Sequence, residues 1–392
     1  MSEEPQNKRL LPPEKARAID HDVRGHLATA TRGISPVDVA TALVDWAGHL
    51  ALSPGKLLSL AETAALNTAE LAAMSGRALR KDAEALPMIT DRRMRSDAWQ
   101  SWPYNLLAQA HRMAKEFAAE ATTGIEGVSK ENEQLVSFMA RQIAEVVSPA
   151  NIPITNPDFI AATREEKGKN LVRGIRNLAE DRQRKRGDEP PQGLENFVVG
   201  KDIGVTPGKV VFQNHLIELI QYSPTTDQVA AEPVLIVPAW IMKYYILDLS
   251  PRNSMVRYLV DQGKTVFIIS WKNPTEQDRD LGMREYLFDG VLAAVDAVNA
   301  IVPKRKIHSV GYCLGGTLLS IAAAYMAREG DDRLKTMSLF AAQVDFREAG
   351  EITTMLGEGT FAFLEALMRK QGYLDIDNMV DAFASLRVSD LV

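Results

Sequence analysis

The chain has 392 residues, a length for two to three average domains, and its 46% apolar and 24% charged content is that of an ordinary globular protein. A net charge of −6 argues mildly against nucleic acid and an anionic membrane surface, and no apolar run reaches the roughly 18–20 residues of a membrane span. The single cysteine, Cys313, leaves no internal disulfide and no zinc site of several thiolates, which fits a reducing cytoplasm.

Residues 1–20 are polar and proline-bearing and read as disordered, and the opening MSEEPQNKRLLPPEK lacks the apolar core of a signal peptide. A helical region follows, over 21–195. Ser35-Pro36 and Ser53-Pro54 each set an N-cap hydroxyl before a proline at the first helical position. Val39, Leu43, Trp46 and Leu50 fall three or four residues apart, and after Pro54 the stripe continues through Leu57, Leu60, Ala64 and Leu71 to Gly76. Such stripes are core or docking surface. Residues 91–149 open with DRRMRSDAWQSWPYN and hold two more helical patterns, separated near Thr123-Gly124. SPANIPITNPDF then forms a rigid, proline-rich connection. Helix signals resume after Asn156-Pro157 and run to RQRKRG (182–187), which with DEPPQG reads as a linker whose charge run is solvated surface.

From about 196 the period becomes that of strands. FVVGKDIGV and KVVFQNHLIELIQY read as a hairpin with Pro207-Gly208 at the turn. PVLIVPA (233–239) and TVFIISW (265–271) are short, continuously apolar runs, as strands buried on both faces require. A helix over 285–302, the strand KIHSVG (306–311), a helix over 314–328 and the strand TMSLFAAQV (336–344) complete an alternation. Alternation of this kind implies an α/β fold with a parallel sheet and right-handed crossovers. The last 45 residues are helical.

Residues 311–316, Gly-Tyr-Cys-Leu-Gly-Gly, carry the chemistry. A nucleophile elbow turns sharply from strand to helix and needs small residues two before and two after the nucleophile; Gly311 and Gly315 stand there, and Gly316 adds room. Cys313 replaces the commoner serine, and a thiol at a helix N-terminus gains thiolate character from the helix dipole. The backbone N–H of Leu314 is one expected oxyanion donor, and that of Trp240 or Ile241, in the loop after the strand 233–237, is the other. The general base is harder to place. His308 lies five residues upstream along the strand, on the order of 16 Å away, and His215 sits on an early strand. No histidine follows Cys313, and the acid and histidine of this fold come after later strands, so the chain reads as stopping before its sheet is complete.

FVVGKDIGVTPGKVVFQN, EPVLIVPAWIMKYYILDLSPRNSMVRYLVDQGKTVFIISWKNP and HSVGYCLGGTLLSIAAAY closely resemble polyhydroxyalkanoate synthases, as do DAWQSWPYN and NIPITNPDF in the N-terminal region. The features around Cys313 and the long N-terminal portion resemble the one-subunit, short-chain class I. The resemblance implies a helical N-terminal domain over 21–195, an α/β-hydrolase core over 196–345 lacking its C-terminal strands, and the start of a helical cap over 346–392. It implies an acyltransferase that polymerises (R)-3-hydroxyacyl-CoA, typically 3-hydroxybutyryl-CoA, through a Cys313 thioester. CoA is released as part of the substrate, and neither cofactor nor metal takes part. It further implies a homodimer in the cytoplasm, on polyhydroxyalkanoate granules, in contact with the growing polyester and with phasins. The family's histidine and aspartate lie beyond the point matching Val392, and Asp345 is left as structural. This polypeptide is therefore expected to be an inactive fragment of a functional parent. A related thioesterase and a non-catalytic granule-binding protein are the alternatives. Trp240 stands where some relatives have cysteine, which should reshape the entrance.

Overall fold

The computed structural model describes residues 11–31, 33–79, 89–187, 189–355 and 357–386. The chain divides into two units, one of residues 1–182, 350–370 and 377–392, the other of residues 183–349 and 371–376.

The first unit is helical: α1 (Pro13–Thr31), α2 (Pro36–Ala51), α3 (Pro54–Leu79), α4 (Tyr104–Thr122), α5 (Lys130–Val146), α6 (Pro157–Glu165) and α7 (Lys169–Arg186), with the unit boundary falling near the end of α7. α4 packs against both α3 and α5, and α2 packs on α5. Trp46 of α2 donates its indole N–H to the carbonyl of Ala121 (3.0 Å). The segments DAWQSWPYN and NIPITNPDF meet at one carboxylate: Asp158 accepts from the indole of the fully buried Trp99 (3.1 Å) and from the hydroxyl of Ser96 (2.6 Å). Asn156 fixes that carboxylate's helix by accepting from the N–H groups of Asp158 and Phe159.

The second unit is built on β1 (Gly208–Gln213), β2 (Ile217–Tyr222), β3 (Val234–Val237), the short pair β4 (Asp248–Ser250) and β5 (Asn253–Ser254), α8 (Met255–Asp261) and β6 (Val266–Trp271). α9 (Met283–Glu285) then runs through a π-helical stretch, Tyr286–Leu292, into α10 (Ala293–Ile301), followed by β7 (Ile307–Tyr312), α11 (Leu314–Arg328) and β8 (Leu334–Phe340). α12 (Glu358–Gln371) and α13 (Ile376–Leu386) end the described chain. Among the described residues the main sheet has six strands in the order β1-β2-β6-β3-β7-β8. β1, β2 and β6 pair antiparallel in turn, whereas β6, β3, β7 and β8 are parallel.

The all-apolar strands are apolar because both faces are covered. Leu235 and Val237 of β3 join Phe267, Ile269, Val295, Leu318 and Leu319 on one face. Val234 and Ile236 join Ile268, Val310, Val256 and Val260 on the other. The chain passes from β3 through α8 to β6 on one side, then returns over β3 to β7 on the other. The loops after β3 and β7 therefore part at a topological switch point, where an open α/β sheet leaves a crevice.

Several elements differ from the sequence reading. α1 begins at Pro13, within the stretch 1–20 expected to be disordered, and α1 buries Gly25 and Ala28; residues 1–10 lie outside the described residues. Ser35 caps α2 by accepting from Asp38 N–H, but the Ser53 hydroxyl donates back to His49 C=O at the end of α2, a carbonyl that also accepts from Leu52 N–H. Residues 197–205 are a loop with one isolated bridge, because Gly200 and Gly204 adopt positive φ and Asp202 accepts from Val198 N–H locally. The hairpin turn is consequently not at Pro207-Gly208. It lies at 214–216, where the Asn214 side chain accepts from Leu216 and Ile217 N–H. The single helical signal after Asn156-Pro157 breaks into α6 and α7 at Lys167 and Gly168, both at positive φ. α12, expected to open a cap, packs within the helical unit: Asp38 of α2 accepts from Thr360 N–H (2.9 Å) in its first turn. Among the described residues no helix is long and apolar enough to cross a membrane.

Candidate active site

Cys313 is the hinge between β7 and α11. Its φ of 54° and ψ of −130° lie in a region that a residue with a side chain rarely adopts. Such strain costs on the order of 1–3 kcal/mol and persists only where surrounding contacts fix it. Three backbone bonds do so here. Cys313 N–H donates to Phe340 C=O (2.9 Å), while Cys313 C=O accepts from Gly316 N–H (2.8 Å) and Thr317 N–H (3.3 Å). The Thr317 hydroxyl also donates to Gln343 C=O (2.7 Å), tying the first turn of α11 to the segment after β8. The side chain of Cys313 is half-buried and the thiol is free.

The three glycines of the elbow are required by distance. A Cβ on Gly311 would fall 2.3 Å from Gly316 Cα, and one on Gly316 would fall 2.4 Å from Ala342 Cβ. A Cβ on Gly315 would fall 2.2 Å from Val237 O and 2.5 Å from Pro238 O. Gly315 thus brings the N-terminus of α11 directly against the end of β3, where the loop holding Trp240 and Ile241 begins. Among the described residues, no backbone or side-chain acceptor takes the N–H of Leu314, Trp240 or Ile241. These are the N–H groups that the sequence pattern singles out as expected oxyanion donors.

That loop is braced by side chains that sequence reading missed. Trp271, at the end of β6, is 7% exposed and donates its indole N–H to Pro238 C=O at 2.8 Å. Tyr286 lies beside both indoles, with ring centroids 5.4 Å from Trp240 and 5.4 Å from Trp271. Burial pushes the Tyr286 phenol up, so it stays protonated. Gly290, within the π-helical stretch, lets the Trp271 ring approach; a Cβ there would meet it at 2.6 Å. The available signal was a glycine inside an apolar helical run facing a strand that ends in tryptophan.

The other titratable groups weighed from the sequence lie elsewhere. His308 pairs its Nδ1 with the Thr336 hydroxyl (2.7 Å) and stands opposite Val234, at the far end of β7 from the elbow. His215 sits on the β1–β2 turn, 3.6 Å from Asp289. Asp345 is held below the usual carboxylate range by the hydrogen-bonding guanidinium of Arg347. Among the described residues no histidine or carboxylate hydrogen bonds to Cys313, and no three metal-binding side chains gather.

Residues 14–56 match the family model of the poly-beta-hydroxybutyrate polymerase N terminal, and residues 90–259 that of the poly-beta-hydroxybutyrate polymerase (PhaC) N-terminus. Residues 232–372 match the alpha/beta hydrolase fold. The chain is 40% identical to a poly(3-hydroxyalkanoate) polymerase of Methylorubrum extorquens over 78% of its own length and 51% of that protein. It is 37% identical to the poly(3-hydroxyalkanoate) polymerase subunit PhaC of Rhizobium meliloti, over 77% and 50%. With that of Cupriavidus necator it shares 34% identity, over 79% and 53%. The chain thus spans about half the length of the curated relatives it matches. A solved Rhizomucor miehei esterase is a remote neighbour, 18% identical with a TM-score of 0.30 over 45% of this chain and 53% of that one. The chain is similar to the poly(3-hydroxyalkanoate) polymerases, matching their N-terminal models and, over the segment that holds Cys313, the alpha/beta hydrolase fold.

Proposed function

We propose that Cys313 is the nucleophile of an acyltransferase that polymerises short-chain (R)-3-hydroxyacyl-CoA, (R)-3-hydroxybutyryl-CoA above all, into polyester. The observation that carries the reading is the elbow itself: a cysteine at φ 54° on a helix N-terminus, against a loop in which the N–H groups of Trp240 and Ile241 have no acceptor among the described residues. In the first step the thiolate Sγ attacks the substrate's thioester carbonyl, and its oxygen becomes an oxyanion accepting from Leu314 N–H and from Trp240 or Ile241 N–H. The carbonyl re-forms as the bond to the CoA sulfur breaks, leaving an acyl group on Cys313 and CoA as its thiolate. In transfer, a substrate 3-hydroxyl attacks a Cys313 thioester and gives up its proton to a base; the carbonyl C–S bond breaks, Cys313 leaves as its thiolate, and an ester replaces the thioester. No described histidine or carboxylate is placed to act as that base. The chemistry calls for no cofactor beyond the CoA that the substrate carries. The same reading takes the enzyme as a cytoplasmic homodimer on polyester granules, with phasins beside it.

The test is to incubate the chain with (R)-3-hydroxybutyryl-CoA and map adducts by mass spectrometry. A single hydroxybutyryl group on Cys313, absent from Cys313→Ala and not extended to polymer, is expected, because no described residue is placed to act as the base for transfer. Hydrolysis to free acid that persists in Cys313→Ala, with no adduct on Cys313, would sink the reading.

A further inference from the structure

Outside the elbow, the feature with the least structural explanation is α7. None of its 18 residues is buried. It nevertheless carries an apolar stripe: Leu171, Val172, Ile175 and Leu178 are 44%, 71%, 70% and 51% exposed. At 100° per residue these four side chains and Ala179 occupy an arc of about 120° along one side of the helix. A stripe of that width on a soluble helix normally faces a core.

The rest of the helix is basic. Lys169, Arg173, Arg176, Arg182, Arg184, Lys185 and Arg186 stand against Glu180 and Asp181, a net +5 in a chain whose net charge is −6. Arg173, Arg176 and Arg184 have carboxylate neighbours in Glu166, Glu180 and Glu189. Lys169, Arg182, Lys185 and Arg186 have no ion-pair partner among the described residues. Of these, Arg182, Lys185 and Arg186 sit at the C-terminal end, on the same side as the stripe.

We propose that α7 is an interfacial helix that lies on an anionic lipid surface, burying the stripe among acyl chains while its flanking cations meet the headgroups. The stripe and the charge together select that occupant. A second copy meeting it α7 to α7 would bring one +5 helix against another and be repelled. Nucleic acid would use the cations but leave the apolar stripe in water. A lipid interface has both an apolar interior and a negative face, and a basic amphipathic helix satisfies both. The net negative charge of the chain does not oppose this, because interactions beyond a Debye length of about 8–10 Å are screened and the helix presents its own local field.

The experiment is flotation of the full chain with vesicles of phosphatidylcholine alone, or of phosphatidylcholine with roughly a third phosphatidylglycerol. Binding is expected only to the anionic vesicles, and it should fall at least about tenfold in about 0.5 M salt. Arg182→Gln with Lys185→Gln and Arg186→Gln should lower the partition on the order of a hundredfold. Ile175→Ser with Leu178→Ser should lower it by at least about tenfold. None of these residues is buried, so far-UV circular dichroism should stay unchanged in both variants. Absence of binding, equal binding to neutral vesicles, or binding that survives both sets of substitutions would overturn the proposal. Light scattering that shows self-association lost in the Ile175→Ser variant would overturn it too, and assign the face to a second copy.

Discussion

Replacing Gly315 with alanine isolates what the elbow demands of its backbone. In an ordinary helix this change is favourable, because alanine has the higher helix propensity by about 1 kcal/mol. Gly48, in the last turn of α2, is such a site: no atom lies within 4 Å of a Cβ built there, so Gly48→Ala should stabilise the protein by about 0.5 kcal/mol. At Gly315 the new carbon would lie 2.2 Å from Val237 O and 2.5 Å from Pro238 C and O. A carbon–oxygen contact needs about 3.3–3.6 Å, so one side must move by roughly 1 Å. Neither side moves easily. The obstructing atoms are backbone, and β3 is hydrogen-bonded to β6 and β7. Overpacking of this kind costs about 1–3 kcal/mol, and the helix-propensity gain offsets only part of it. Gly315→Ala should therefore be destabilising by about 1–2 kcal/mol net, opposite in sign to Gly48→Ala. Urea unfolding gives the sign, and hydrogen exchange in β7 and β3 peptides gives the location, since two units need not unfold together. If Gly315→Ala is as stable as Gly48→Ala, and exchange near Val237 is unchanged, the close approach of α11 to β3 is not real.

Two further perturbations follow from the same structure. Trp271→Phe keeps a ring against Tyr286 but removes the donor to Pro238 C=O, leaving a buried acceptor unpaired at a cost of about 1–3 kcal/mol. Hydrogen exchange over 238–242 should rise more than the exchange of the rest of the sheet, and no local rise would mean that the indole does not brace the loop. In the helical unit, the Arg93 guanidinium that hydrogen-bonds Asp91 holds its carboxyl below the usual carboxylate range. A depressed folded value gives stability that is complete above the unfolded value of about pH 4 and is lost as pH falls through the folded one. Asp91→Asn should flatten that acid limb in thermal melts from pH 5 down to 2.5, and an unchanged slope would remove Asp91 from the account (pH range on the order of the carboxylate titration).

Much of this protein could be read along the chain because its signals are local. Gly311, Cys313 and Gly315 mark an elbow by spacing alone, since a strained turn tolerates only small neighbours wherever it occurs. The runs at 234–237 and 266–271 announced central strands, because a strand covered on both faces has no polar side to show. Ser35 announced its cap because the hydroxyl and the N–H it binds are three residues apart.

Where two local solutions competed, spacing did not decide. Asn214 took the hairpin turn from Pro207-Gly208, and Ser53 turned back to His49 although its sequence matched that of Ser35. Long-range partners were decided by tertiary structure alone. The indole of Trp271 meets Pro238, which lies 33 residues away, and the carboxylate of Asp158 meets Trp99 at a separation of 59. Neither contact has a period or a spacing to betray it, because each depends on how strands are ordered or helices packed. The apolar stripe of α7 is a further case. Read along the chain, this stretch is a helix followed by a solvated linker at 182–187; only the folded chain shows 182–186 within α7 and an apolar stripe that nothing within the described structure covers.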